Sequence, residues 1–150
     1  NAVGAVGAII GGVAFGFLSD RIGRRKSIVL ALLLAVLMIP LWAFAPTMAL
    51  LVIGAFLMQF MVQGAWGVIP AHITELAPES VRGCWPGVAY QCGVLLASSV
   101  PYVEAALAAH MSYARAMTLG AVTVFLLAAL VAALGRERHR VVFGAAPGAG

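Results

Sequence analysis

Gly16-Phe17-Leu18-Ser19-Asp20-Arg21-Ile22-Gly23-Arg24-Arg25-Lys26 is the stretch that decides how this chain folds. It gathers four of the nine basic residues, and the runs on either side of it, 1–19 and 27–45, carry no charge at all. Working outward, the same alternation repeats. Arg82 stands within 72–85, Arg115 follows His110-Met111-Ser112-Tyr113, and Arg136, Arg138 and Arg140 open the tail. Between these markers lie five apolar runs, at 1–19, 27–45, 49–71, 86–108 and 116–134. As helices they would measure ~28–35 Å, enough to cross a hydrocarbon layer of ~30 Å.

The composition says the same. Of 150 residues, 63% are hydrophobic and 9% charged, with a mean hydropathy of +1.06. A soluble domain carries roughly 25% charged residues. Soluble enzymes and soluble binding modules are therefore excluded, and so is disorder, which needs high charge and few apolar residues. In lipid only helices and closed barrels satisfy their own backbone, and unbroken apolar runs are not barrel strands. The expected fold is all-α, a polytopic membrane bundle of five helices, with the lipid bilayer as solvent.

Sidedness follows from Lys and Arg. The 20–26 loop, the 72–85 loop and the tail hold eight of the nine basic residues, which makes that side cytoplasmic. The net charge of +4 is thus topological and points to no nucleic acid. The expected location is the cell (inner) membrane with the carboxyl terminus inside. No Met, basic leader or cleavage site opens the chain, so it reads as a piece of a longer polytopic protein. Residues 136–150 read as a flexible cytoplasmic tail.

The spans differ in character. In the first, Gly4, Ala8, Gly12 and Gly16 recur every four positions, with Gly7 and Gly11 in a neighbouring strip, giving a smooth seam for helix packing. The third places Gln59, Gln63 and Trp66 on one face, suited either to interhelical hydrogen bonds or to a solute-binding wall. The fourth opens with Pro86 and carries Tyr90, Gln91, Ser98, Ser99, Pro101 and Glu104; Pro101 predicts a kink. Glu104 is the only ionisable residue within any span, and an intramembrane carboxylate is a functional candidate, here for proton coupling. It also lies near the outer end of its span, where an interfacial role is open to it. The 27–45 and 116–134 spans are apolar all round and read as peripheral. Cys84 and Cys92 have no metal-ligand spacing, and neither a metal nor a cofactor is expected.

The loops then become recognisable. Gly16 to Lys26 resembles the signature G-x-x-x-D-R-x-G-R-R/K of major facilitator superfamily transporters. Glu75-Leu76-Ala77-Pro78-Glu79-Ser80-Val81-Arg82-Gly83 resembles their second cytoplasmic motif, E-x-x-P-x-x-x-R-G. The resemblance implies a six-helix half lacking its first helix, with residues 1–135 as the partial carboxyl-terminal half and the amino-terminal half of the same transporter as partner. It implies alternating access around a small solute bound by Gln59, Gln63, Trp66, Tyr90 and Gln91. It also implies a cytoplasmic charge network of Asp20, Arg21, Arg24, Arg25, Glu75 and Arg82. Trp66 to His72 and Pro86 to Gln91 look most like the lactate/pyruvate and sialate proton symporters; sugar and polyol porters share the loop motifs. An intramembrane enzyme is the remote alternative, since its catalytic groups would have to lie at depth and His72, His110 and His139 all fall in loops or the tail.

Overall fold

The computed structural model describes residues 2–136. Every element among them is a helix: α1 (Ala2–Ile22), α2 (Arg24–Ala43), α3 (Met48–Leu76), α4 (Trp85–Ala97), α5 (Val100–Ala108) and α6 (Tyr113–Leu134). Taking α4 and α5 as one interrupted span, five helices are long and apolar enough to cross a membrane. The tail beyond 136, with Arg138, His139 and Arg140, lies outside the described residues.

One residue separates α1 from α2. Gly23 has φ 101° and ψ 152°, a conformation open to glycine and strained for other residues. Its amide donates to the Ser19 carbonyl and its carbonyl accepts from the Ser27 amide, so both helices are tied off at that residue. The next turn is longer, and the Thr47 hydroxyl accepts from the Leu50 amide to cap α3.

α3 is the hub, with a different neighbour on each of three faces. Towards α1 the backbones nearly touch. A Cβ on Gly7 would stand 2.7 Å from the Phe56 carbonyl oxygen, and one on Gly11 would overlap the Phe60 backbone. Towards α2, Met58 packs with Ala35 and Ile39, and Ala65 and Val68 pack with Ile28, Ala31 and Leu32. Towards α4, Trp66, Ile69, Pro70 and Ile73 form one wall of a cleft.

Two sequence expectations are corrected by this packing. The seam on α1 is the stripe Gly4, Gly7, Gly11, Phe15 and Ser19, all buried, whereas a Cβ on Gly16 would meet nothing within 4 Å. A strict four-residue spacing drifts by ~40° per step around a 3.6-residue helix, so the strip that starts at Gly4 has left the contact by Gly16. Gly12 stays at its edge, opposite Gly67. The α2 helix is also less peripheral than its composition suggested. Ser27, Ile28, Ala31, Leu32, Ala35 and Ile39 are buried against α3, α1 and α6, and Leu30, Leu33 and Leu37 point outward. Apolar residues on both faces allowed either position; Ala31 and Ala35, one turn apart, let neighbours approach closely.

The third span also runs farther than expected. α3 continues to Leu76, so His72 and Glu75, read as loop residues, lie in its last turns and are buried. Pro70 cannot donate its amide. The helix nevertheless passes through it, with the Thr74 hydroxyl donating to the Pro70 carbonyl at 2.8 Å and Val68, His72 and Glu75 continuing the buried stripe.

Candidate functional site

Two places concentrate polar or aromatic groups at helix boundaries. The first is the Gly23 end of the bundle. Arg24, at the first position of α2, reaches Asp20 on α1 at 2.7 Å and Glu75 on α3 at 3.3 Å, and donates to the Ser19 hydroxyl. Ser19 in turn donates to the Gly16 carbonyl at 2.7 Å. Glu75 and Asp20 are not equivalent partners: the Glu75 side chain is 8% exposed and Asp20 60%. The Arg24–Glu75 pair is therefore the desolvated contact, where losing one partner is costly, and the Asp20 pair is a weak surface one.

Arg25 leaves this cluster and donates to the Gly135 carbonyl at 2.9 Å, closing the carboxyl end of α6, where a cation also suits the helix dipole. Arg82 donates to the Ala77 carbonyl at 3.2 Å and pairs with Glu79 at 3.7 Å. Arg21 is exposed and lies along Ala14, Phe17 and Leu18 on the outer face of α1. The structure thus joins Asp20, Arg24 and Glu75, and sends Arg25 to α6. Ser19, Ser27 and His72 were missed as members of this end. Both serines are fully buried, and Ser27 donates to the Phe15 carbonyl at 3.3 Å. Ser19 could have been found from the 3.6-residue stripe it completes.

The second place is the α3–α4 cleft. The Trp66 and Tyr90 rings stand 5.8 Å apart at 51°, above a space of about 200 Å³ lined by Ile69, Pro70, Ile73, Pro86, Ala89 and Gly93. Both aromatic residues are about half exposed, and nothing on α4 is buried. The lining offers two rings and aliphatic surface, which suits the apolar or C–H face of a small solute.

The glutamines do not enter it. Gln59 is exposed beside Gly4, Trp42, Ala55 and Met58; Gln63 is half-buried; Gln91 is exposed on α4. Gln59 does share the Trp66 face of α3, but seven residues of rise put it ~10 Å farther along, beyond the residues that line the cleft. Glu104 is elsewhere too. It faces α6 in an apolar groove of about 230 Å³ with Val103, Leu119, Gly120 and Thr123, and a Cβ on Gly120 would be 3.5 Å from its Oε1. Among the described residues no His, Cys, Asp and Glu cluster could hold a metal ion.

Residues 2–136 match the family model described as sugar (and other) transporter. The chain belongs to that family. It is a family of the major facilitator superfamily, in agreement with the two loop motifs. Similar proteins carry varied names. A carboxylic acid transporter protein homolog of Saccharomyces cerevisiae is 30% identical over 90% of this chain and 24% of its own length. Putative polyol transporter 2 of Arabidopsis thaliana is 34% identical over 91% of this chain and 28% of its own. The galactose-proton symporter of Escherichia coli is 35% identical over 51% of this chain and 17% of its own. The chain therefore spans about a quarter of the length of the first two. The narrower likeness to lactate/pyruvate and sialate symporters does not emerge from these names, which cover acids, polyols and sugars alike. Membership in this family together with five apolar helices makes the chain an integral membrane protein.

Proposed function

We propose that residues 1–135 form five of the six helices of the carboxyl-terminal half of a secondary transporter, one that moves a small organic acid with protons by alternating access. The Gly23 end, the 72–85 loop and the tail face the cytoplasm, and the amino-terminal half covers the open side of α3 and α4. The observation that carries the reading is the Trp66–Tyr90 cleft, an aromatic pocket between two membrane helices with both rings about half exposed. In this reading Trp66 and Tyr90 touch the solute, and Gln59, Gln63 and Gln91 extend the wall beyond the cleft. The cation for a carboxylate must come from the other half, since no Lys or Arg lines the cleft.

That same absence favours a second reading, a sugar or polyol porter, whose neutral solute stacks its C–H face on the rings. The test is uptake of labelled L-lactate and D-galactose by proteoliposomes bearing the complete reading frame that contains this segment, with and without an inward proton gradient. Trp66→Ala and Tyr90→Ala should each lower uptake of whichever solute is carried by about tenfold, roughly the ~1.4 kcal/mol of one good aromatic contact. Wild-type uptake in both variants would remove the cleft from the solute path.

A further inference from the structure

The fourth span is one sequence run with two packing partners. Its first part, α4, has α3 as principal neighbour, through the Trp66–Tyr90 pair, and its second part, α5, has α6. The helix breaks where the partner changes. Ser98 and Ser99 keep right-handed helical angles, φ −62° and ψ −21° for the first and φ −79° and ψ −18° for the second, but the hydrogen-bond ladder is rearranged around them. Pro101 has no amide to give to the Ala97 carbonyl. The amides of Ser99 and Tyr102 bond only three residues back, to the Leu96 carbonyl at 3.3 Å and the Ser99 carbonyl at 3.2 Å, while Val103 keeps the regular bond to Ser99. Each serine hydroxyl donates back three residues at 2.7 Å, Ser98 to the Leu95 carbonyl and Ser99 to the Leu96 carbonyl. Hydroxyls that bond to the preceding turn satisfy backbone groups in lipid without needing the regular ladder, and they ease bending. Within this chain no residue of α4 or α5 is buried.

We propose that Ser98-Ser99-Val100-Pro101 is a hinge, on which α4 swings to open and close the Trp66–Tyr90 cleft while α5 stays on α6. One bond of the regular ladder is missing at Pro101 and the Ser99 and Tyr102 bonds are shortened to three residues, so the ladder is weakest at the break. The cleft wall on α3 is fixed by contrast, because Gly11 and Gly7 lock α3 to α1. All of the opening therefore falls on α4. The role given to the cleft rests on the transporter reading above; the motion itself does not.

The motion is read directly by spin-label distances in the complete transporter in lipid vesicles, with Cys84→Ser removing the second exposed thiol. One nitroxide goes on Cys92 of α4, which is exposed, and its partner on Leu127→Cys of α6. The control pair is Val103→Cys of α5 with the same α6 site, in a chain that also carries Cys92→Ser. The α4 pair should give a broad or two-peaked distribution and the α5 pair a single narrow one. Pro101→Ala combined with Ser98→Ala and Ser99→Ala should collapse the α4 distribution to one peak and slow uptake at least about fivefold, as loss of a gating motion does. The single variant Pro101→Ala, closest to wild type, should narrow it partly. Equal widths for the two pairs in the wild type, or an unchanged width in both proline variants, would overturn the hinge. A hinge that moves as described, with Trp66→Ala transporting normally, would instead sink only the role assigned to the cleft.

Discussion

Replacing Gly11 by Ala should destabilise the bundle, although alanine is the better helix former. The added Cβ would fall on the Phe60 backbone, within 2.8 Å of its Cα and 2.7 Å of its carbonyl carbon. Backbone in mid-helix cannot rotate aside as a side chain can, so α1 and α3 must separate along a stripe that also holds Gly7 and Phe15. Overpacking of this kind costs about 1–3 kcal/mol, against a propensity gain of about 1 kcal/mol for Gly to Ala in a helix. The expected net loss is thus up to about 2 kcal/mol, or a few degrees in the melting temperature of a chain this size. Four of the five glycines of α1 give an internal scale. Gly7 meets the Phe56 carbonyl at 2.7 Å, Gly12 the Gln63 carbonyl at an ordinary 3.7 Å, and Gly16 meets nothing. Alanine variants should therefore rank Gly11, Gly7, Gly12, Gly16 from most to least destabilised, with Gly16→Ala neutral or slightly stabilising. Melting in detergent, followed by the fraction surviving size-exclusion chromatography after heating, reads the order. If Gly16→Ala loses as much as Gly11→Ala, the assignment of the contact stripe is wrong.

Arg24→Ala should cost about 3–5 kcal/mol by leaving Glu75 buried without its cation, while Asp20→Asn, at an exposed pair, should stay within about 1 kcal/mol; the same melts separate them. Gly23→Ala should lose about 1–3 kcal/mol, because the turn needs a backbone conformation that alanine tolerates poorly, and equal stability would mean the turn can be rebuilt. Glu104→Gln in the complete transporter should abolish gradient-driven accumulation and leave gradient-free exchange intact if the carboxyl carries the coupled proton. Unchanged accumulation would make Glu104 a packing residue of the α5–α6 groove.

The spans were legible because hydrocarbon imposes a length and excludes charge, and both can be counted in sequence. Legibility ended where lipid and protein are alike as solvents. Leu33 and Leu32 are both suitable for either environment, yet one is exposed and the other buried. Nothing in a uniformly apolar run such as α2 marks which face meets a neighbour. The same limit misplaced the seam on α1, where small residues occur on several faces and only the 3.6-residue period distinguishes the Gly7–Gly11 stripe. At the Gly23 end the motif residues Asp20, Arg24 and Glu75 were readable as charges, but Ser19 and His72 were not. A buried serine or histidine inside an apolar helix carries no signature until its partners are known. Pro70 and Pro101 show why proline alone is ambiguous: beside Thr74 the helix runs on, and beside Ser98 and Ser99 it breaks.

These differences in packing divide the chain into a stiff part and a loose part. α1 and α3 meet through glycine and backbone, α2 fills the next face of α3 with aliphatic side chains, and Arg24, paired with Asp20 on α1 and Glu75 on α3, ties the three together at one end. Such contacts cannot slide without steric overlap or an uncompensated buried charge, so α1, α2 and α3 must move as one body. Within this chain α4 has none of these restraints. It rests on α3 through one ring pair and connects to α5 through a rearranged turn. A machine that alternates access needs a fixed wall and a movable one on either side of its solute. In the transporter proposed above, the fixed wall would carry Trp66 and the movable one Tyr90.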